Sequence, residues 1–178
     1  MNVIRILAIS GSLRAASSNT HLLEAAQSLA PERMELRLYE GLSRLPHFNP
    51  DLDGEAPPPE VLDLRRRIAE AHGLLICSPE YARGVPGSLK NALDWLVSCS
   101  EFPDKPVALF NASQRSTHAQ ESLRLTLQTM SARLIDSACI TVALLGTKLD
   151  APGIACDVTF GPQVRAALVR FAEAITSS

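Results

Sequence analysis

Gly73-Leu74-Leu75-Ile76-Cys77-Ser78-Pro79-Glu80-Tyr81-Ala82-Arg83-Gly84-Val85-Pro86-Gly87-Ser88-Leu89-Lys90-Asn91-Ala92-Leu93-Asp94-Trp95 reads as strand, loop and helix in succession. The run Leu74 to Cys77 is apolar throughout, as in a strand covered on both faces of a parallel sheet. Pro79, Gly84, Pro86 and Gly87 fix the loop, and Leu89, Ala92, Leu93, Leu96 and Val97 make a helical stripe. The same layout stands at the start of the chain. Ile4 to Ile9 is a strand, Ser10-Gly11-Ser12-Leu13-Arg14-Ala15-Ala16-Ser17-Ser18-Asn19 a polar loop, and a helix follows. Two such loops, after the first and third strands of a parallel sheet, flank one crevice, and α/β proteins place ligands there.

Outward from these two units the alternation continues. Strands are expected at Val3 to Ile9, Met34 to Tyr39, Gly73 to Cys77, Val107 to Phe110 and within Leu134 to Leu145. Met34, Leu36 and Leu38 alternate with polar residues, which suits an edge strand. Helix faces are formed by Leu22, Leu23, Ala26 and Leu29; by Val61, Leu64, Ile68 and Ala71; by Ala119, Leu123, Leu127 and Met130; and by Val164, Ala167, Leu168, Phe171, Ala172 and Ile175. Pro162 fits the first turn of the last helix. The expectation is an α/β chain with a doubly wound five-stranded parallel sheet, flavodoxin-like in its order 2-1-3-4-5, and helices on both faces. The proline-rich stretch Pro46 to Pro59 reads as a surface connection, so residues 1–178 are expected to form a single domain.

Composition excludes several classes of function. The chain has 178 residues, 46% of them hydrophobic and 20% charged, with a formal net charge of −2. That charge gives no steering toward nucleic acid or an anionic membrane. Arg65-Arg66-Arg67 lies beside Asp63 and Glu70 and reads as a solvated helix face. Of the four cysteines, Cys77, Cys99, Cys139 and Cys156, none forms a C-x-x-C pair or has a histidine at ligand spacing, so neither a metal site nor a disulfide framework is expected. With no signal peptide and no apolar run long enough to span a bilayer, the expected location is the cytoplasm.

The first loop has a direct chemical reading. Ser10, Ser12, Ser17, Ser18 and Asn19 supply donors, Gly11 allows a tight turn, Arg14 brings a guanidinium, and the loop opens onto a helix N-terminus. These are the parts of a phosphate cradle. A plain helix cap by Ser17, Ser18 or Asn19 is the alternative. The loop lacks the Gly-Lys-Ser/Thr of a P-loop and the three glycines of a dinucleotide fingerprint. Ser10-Gly11-Ser12 and Ser78-Pro79-Glu80 also lack the acids of a receiver domain. The second loop offers Glu80, Tyr81 and Arg83 on a stiff backbone, suited to pressing amides and an aromatic edge against a flat ring; an ordered turn without a ligand is its alternative. A third polar loop, Asn111-Ala112-Ser113-Gln114-Arg115-Ser116-Thr117-His118, follows the fourth strand. His118 has no partner acid or nucleophile by spacing and reads as a surface or capping residue. A nucleophile elbow is absent.

Gly11-Ser12-Leu13-Arg14 with Ser17 and Asn19, Pro79-Glu80-Tyr81, Pro86-Gly87 and Leu89-Lys90-Asn91-Ala92-Leu93-Asp94-Trp95 together resemble the NADPH-dependent FMN reductase family, which includes quinone, chromate and azo-dye reductases. The resemblance runs over nearly the whole chain. It implies a flavodoxin-like fold, FMN as cofactor, NADPH or NADH as electron donor, a small quinone-like molecule or free FMN as acceptor, and a homodimer or homotetramer. It places Ser12, Arg14, Ser17 and Asn19 on the FMN phosphate. Pro79, Glu80, Tyr81 and the backbone of Ala82, Arg83 and Gly84 would line the ring. Two positions depart from the family's pattern. Ala82 stands where asparagine is common, and Ser113-Gln114-Arg115-Ser116 replaces a glycine-bearing loop, so ring contact by Ser113 is weakly specified. The chemistry would be the flavin's, with no catalytic side chain. The rival readings are a flavin-binding electron carrier or redox sensor without efficient NAD(P)H turnover, and a scaffold that has lost its ligand.

Overall fold

A computed structural model describes residues 3–177. Its strands are β1 (Ile4–Ser10), β2 (Met34–Leu38), β3 (Gly73–Cys77), β4 (Pro106–Asn111), β5 (Arg133–Leu134) and β6 (Ile140–Thr141). The helices are α1 (Ser18–Ser28), α2 (Pro59–Glu70), α3 (Gly87–Asp94), α4 (Thr117–Thr129), α5 (Ala151–Cys156) and α6 (Phe160–Thr176). All strand pairings are parallel and the order is β2-β1-β3-β4-β5, with β6 also on β4. The expected doubly wound order is therefore present, and β2 is the edge strand that its alternation implied.

Strand alternation divides the core. Ile6, Ala8, Leu75 and Cys77 face α1 and α6, while Leu7, Ile9, Leu74 and Ile76 face α2 and α3. Both faces of β1 and β3 are thus covered, which is why their sequences are unbroken apolar runs. Burial at roughly 25 cal/mol per Å² of apolar surface makes these two layers the main source of stability.

Four expectations need correction. The fifth strand is not one segment: a 3-10 turn at Asp136–Ala138 splits it into β5 and β6, each pairing with a different part of β4. The third helix ends at Asp94, so Val97 leaves the stripe and is exposed. Arg65 is not on a solvated face. Its side chain is 17% exposed and donates to Asp53, to Ser98 and to the carbonyl of Trp95. Only Arg66 and Arg67 pair with Asp63 and Glu70 in the expected way. The short α5 has no counterpart in the sequence reading; Asp150 caps it by accepting from the Gly153 amide at 2.9 Å.

The connection from Pro46 to Pro59 lies on the surface, as expected, but it is fastened. Trp95 Nε1 and Asn91 Nδ2 both donate to the Pro46 carbonyl, at 2.8 and 2.9 Å, and Asn91 Oδ1 accepts from the Phe48 amide at 2.7 Å. Phe48 meets the Trp95 ring edge-on, with centroids 5.0 Å apart. Trp95 itself is fully buried, a core residue rather than a surface one.

Candidate functional site

The crevice forms where β1 and β3 lie side by side and their connections diverge, β1 into α1 on one face and β3 into α3 on the other. Gly11 sits at the contact of the two loops. Its amide donates to the Cys77 carbonyl at 2.8 Å, and a Cβ there would stand 2.8 Å from Ser78 Oγ and 3.1 Å from Leu89. A side chain at this position would press on the Ser78 and Leu89 side chains, so glycine suits the close contact of the two loops.

The first loop separates into residues that build it and residues it presents. Ser10 Oγ is spent internally: it pairs with Thr20 Oγ1 at 2.8 Å and accepts from the Ser12 amide at 3.3 Å. Asn19 Oδ1 accepts from the buried Cys77 thiol at 3.3 Å, tying α1 to β3 and leaving the amide NH2 of Asn19 unspent among the described residues. Burial pushes the Cys77 thiol pKa up, so it stays a neutral donor. Ser17 holds the N-cap position of α1 in extended geometry, yet its side chain makes no capping bond, which sets aside a cap by Ser17. Ser12 Oγ accepts a 3.3 Å contact from the Arg14 amide, and Arg14 is exposed with no ion pair among the described residues. The loop thus carries two buried serines, a guanidinium without an ion pair and the N-terminus of α1 within eight residues of chain. This donor set fits a phosphate monoester.

The second loop is a two-residue turn. The Tyr81 and Gly84 amides and carbonyls exchange bonds of 3.1 and 2.9 Å, while Ala82 and Arg83 adopt left-handed φ of 49° and 61°. Left-handed backbone at two consecutive non-glycine residues costs on the order of 1–2 kcal/mol each and is typical of binding loops. The turn projects Tyr81, half exposed, beside the crevice. Glu80 serves the scaffold: its Oε2 accepts from the Ala119 amide at 3.0 Å, in the first turn of α4. Ser116, the N-cap of α4, makes no side-chain cap bond. Glu80 therefore caps α4 from another loop and ties the third-strand loop to the fourth.

The loop after β4 is shaped by Asn111, whose Oδ1 accepts from the Ser113 amide at 3.1 Å while Nδ2 reaches the Ser116 carbonyl at 3.4 Å. Ser113 Oγ accepts from the Arg115 amide at 3.2 Å. Arg115 and His118 are exposed. One cavity adjoins the crevice and another lies at the β4 loop beyond it. The first, of about 230 Å³, is lined by Ser12, Arg14, Thr20, Tyr39 and Glu40. The other, about 500 Å³, opens beside Asn111 and Gln114. Sequence reasoning missed Thr20 and the contact of Ser78 with Gly11, and it named Asn111 only as part of the third polar loop, without its role in shaping that loop. Thr20 lies in the first turn of α1, where sequence alone does not separate it from the neighbouring serines. Among the described residues, none of the His, Cys, Asp and Glu side chains group to hold a metal.

A parallel sheet of this order, with a serine-rich loop after β1 and an aromatic turn after β3, defines a protein of the flavodoxin-like class. The chain belongs to the NADPH-dependent FMN reductase family, whose model matches residues 4–144. It is 35% identical over 155 residues to an NAD(P)H-dependent FMN reductase of Pseudomonas aeruginosa, covering 84% of this chain and 83% of the relative. An NADPH:quinone oxidoreductase of Arabidopsis thaliana is 42% identical over 113 residues, 61% of this chain and 58% of that protein. A quinone reductase of Escherichia coli is 35% identical over 106 residues, a match to 59% of this chain and just over half, 55%, of its own length. Among solved structures, a flavoenzyme NAD(P)H:(acceptor) oxidoreductase of Paracoccus denitrificans superposes with a TM-score of 0.82 at 28% identity, covering 98% of each chain.

Proposed function

We infer that this chain is an FMN-dependent NAD(P)H oxidoreductase acting on quinone-like acceptors or on free flavin. The observation that carries this reading is the meeting of the two loops at Gly11 and Ser78, with phosphate donors on one side and the Tyr81–Gly84 turn on the other. The named relatives support it. When bound, FMN supplies the redox chemistry, accepting a hydride from the nicotinamide and yielding electrons to the acceptor.

The chain's own residues bind and orient. Ser12, Ser17, Asn19 and Arg14 hold the phosphate together with the free amides of α1. Pro79, Tyr81 and the backbone of Ala82, Arg83 and Gly84 wall the ring, and the Ala82 and Arg83 amides, unpaired among the described residues, are available to its polar edge. Glu80 fixes that wall to α4. Ser113 borders the same crevice from the β4 side, and Arg83 is placed to meet nucleotide phosphates. The reading takes residues 1–178 as a single domain, the location as the cytoplasm and the assembly as a homodimer or homotetramer. In support, none of the described helices is long and apolar enough to cross a membrane.

Titration of the apoprotein with FMN and FAD tests the binding half of this reading. FMN is expected to bind more tightly, because one phosphate cradle serves one phosphate. Tighter FAD binding, or no flavin binding, would refute it. Light scattering at micromolar protein concentration tests the assembly, and a monomer would overturn that part.

A further inference from the structure

A groove of about 500 Å³ leads away from the β4 loop, between α4 and the segment holding β6. It follows the side of the sheet on which β5 stops at Leu134. Thr117, Gln120, Glu121 and Arg124 all line it. Their spacing of i, i+3, i+4 and i+7 puts them on one face of α4, a polar stripe about 10 Å long. Asn111 and Thr141, register partners on β4 and β6, line the groove as well. Gln120 Nε2 is buried and makes no hydrogen bond among the described residues, whereas buried side-chain donors are nearly always paired. Arg124 bonds Asp136 through Nη1.

We propose that this groove binds the adenosine half of the nicotinamide dinucleotide, with Glu121 accepting from ribose hydroxyls, Gln120 donating to them and Arg124 meeting phosphate. The proposal rests on the oxidoreductase reading above. A dinucleotide whose nicotinamide lies in the crevice must set its second nucleotide on an adjoining surface. The cavity beside Ser12 and Arg14 is smaller, about 230 Å³, and those two residues serve the flavin phosphate. The α4 groove falls in the size range of small-molecule sites, roughly 300–1,000 Å³. A carboxylate, amides, hydroxyls and a guanidinium along one wall suit a sugar phosphate, and Leu109, Cys139 and Ile140, which also line the groove, offer apolar surface to the base.

Two measurements on FMN-loaded protein test the groove. The first is calorimetric titration with ADP, which needs no turnover. ADP is expected to bind wild type, with Gln120→Ala weakening it about three- to tenfold and Arg124→Gln tenfold or more. The second compares NADPH with reduced nicotinamide mononucleotide, which lacks the adenosine half. Both variants should raise KM for NADPH and leave KM for the mononucleotide unchanged. FMN affinity and thermal midpoint should match wild type, which shows that the fold is intact. Absent ADP binding, equal ADP binding by wild type and variants, or equal effects on the two donors would overturn the proposal. ADP binding by a protein that oxidises neither donor would leave the groove standing and refute the oxidoreductase reading instead.

Discussion

At the scale of single residues, the first loop shows what a sequence can and cannot assign. Ser10, Ser12 and Ser17 are equivalent on paper. Folding engages Ser10 in a bond to Thr20, while Ser17 makes no cap bond and Ser12 Oγ keeps a single 3.3 Å contact, a division that depends on a partner ten residues away. Arg14 is exposed and makes no ion pair among the described residues, which leaves its guanidinium available as the phosphate reading requires. Arg14→Ala is expected to weaken FMN binding by about 1.5–3 kcal/mol, roughly tenfold to a hundredfold, with the melting temperature unchanged; fluorescence titration measures it, and an unaltered Kd would place the phosphate elsewhere. Ala82 carries a second prediction. Its φ of 49° is strained for alanine, so Ala82→Gly should raise stability by about 0.5–1 kcal/mol after glycine's entropy is deducted. Ala82→Val should lower it. Urea denaturation decides, and a stabilising valine would show that the turn is not strained.

At the scale of elements, strands and helices with strong periodicity were readable and their joints were not. β1 and β3 are apolar throughout because both faces are covered. The break between β5 and β6 falls at Asp136-Ser137, two polar residues in an otherwise largely apolar stretch from Leu134 to Leu145, an interruption too short to mark a turn by pattern alone. Glu80 likewise gave no sign that it caps α4, a helix that starts 37 residues further on. Glu80→Ala should destabilise the protein by about 1 kcal/mol and Glu80→Gln by much less, since the amide oxygen still accepts from Ala119. Equal losses would mean that charge, not the cap, matters. Asn91 and Trp95 were visible as part of a motif, but the clasp they form on Pro46 and Phe48 appears only in three dimensions. Asn91→Ala removes two hydrogen bonds and should cost about 1–3 kcal/mol, with faster proteolysis in the 46–58 connection. Undiminished protease resistance would count against the clasp.

At the scale of the whole molecule, alternating βα units implied a doubly wound parallel sheet, and the two polar loops after the first and third strands, not the pattern itself, favoured the order that the sheet shows. Stability against acid also belongs to this scale. Burial, with the nearby charges of Arg5 and Lys105, lowers the His72 pKa, and its Nδ1 accepts from the Arg5 amide at 2.9 Å. A histidine pKa below its unfolded value of about 6.5 favours the neutral form. Its contribution is complete above that pH and is lost as pH falls through the folded value. The Asp63 carboxyl is lowered chiefly by the Arg67 hydrogen bond. Burial pushes Asp53 up, but Ser98 and Arg65 outweigh it and hold it low. Their contributions persist above about pH 4 and fade below it. Unfolding free energy should therefore decline in two stages on acidification, and His72→Gln should abolish the first. A single decline in wild type would refute the His72 assignment.

The central claim is that the crevice between the β1 and β3 loops holds FMN where a nicotinamide can reduce it. Anaerobic mixing of FMN-loaded protein with NADPH tests this most directly. The flavin's visible absorption should bleach and return when a quinone is added, and initial rates over a grid of both substrates should give parallel double-reciprocal lines. Flavin that stays oxidised under excess NADPH and NADH, in protein carrying stoichiometric FMN, would contradict the claim and leave an electron carrier in its place.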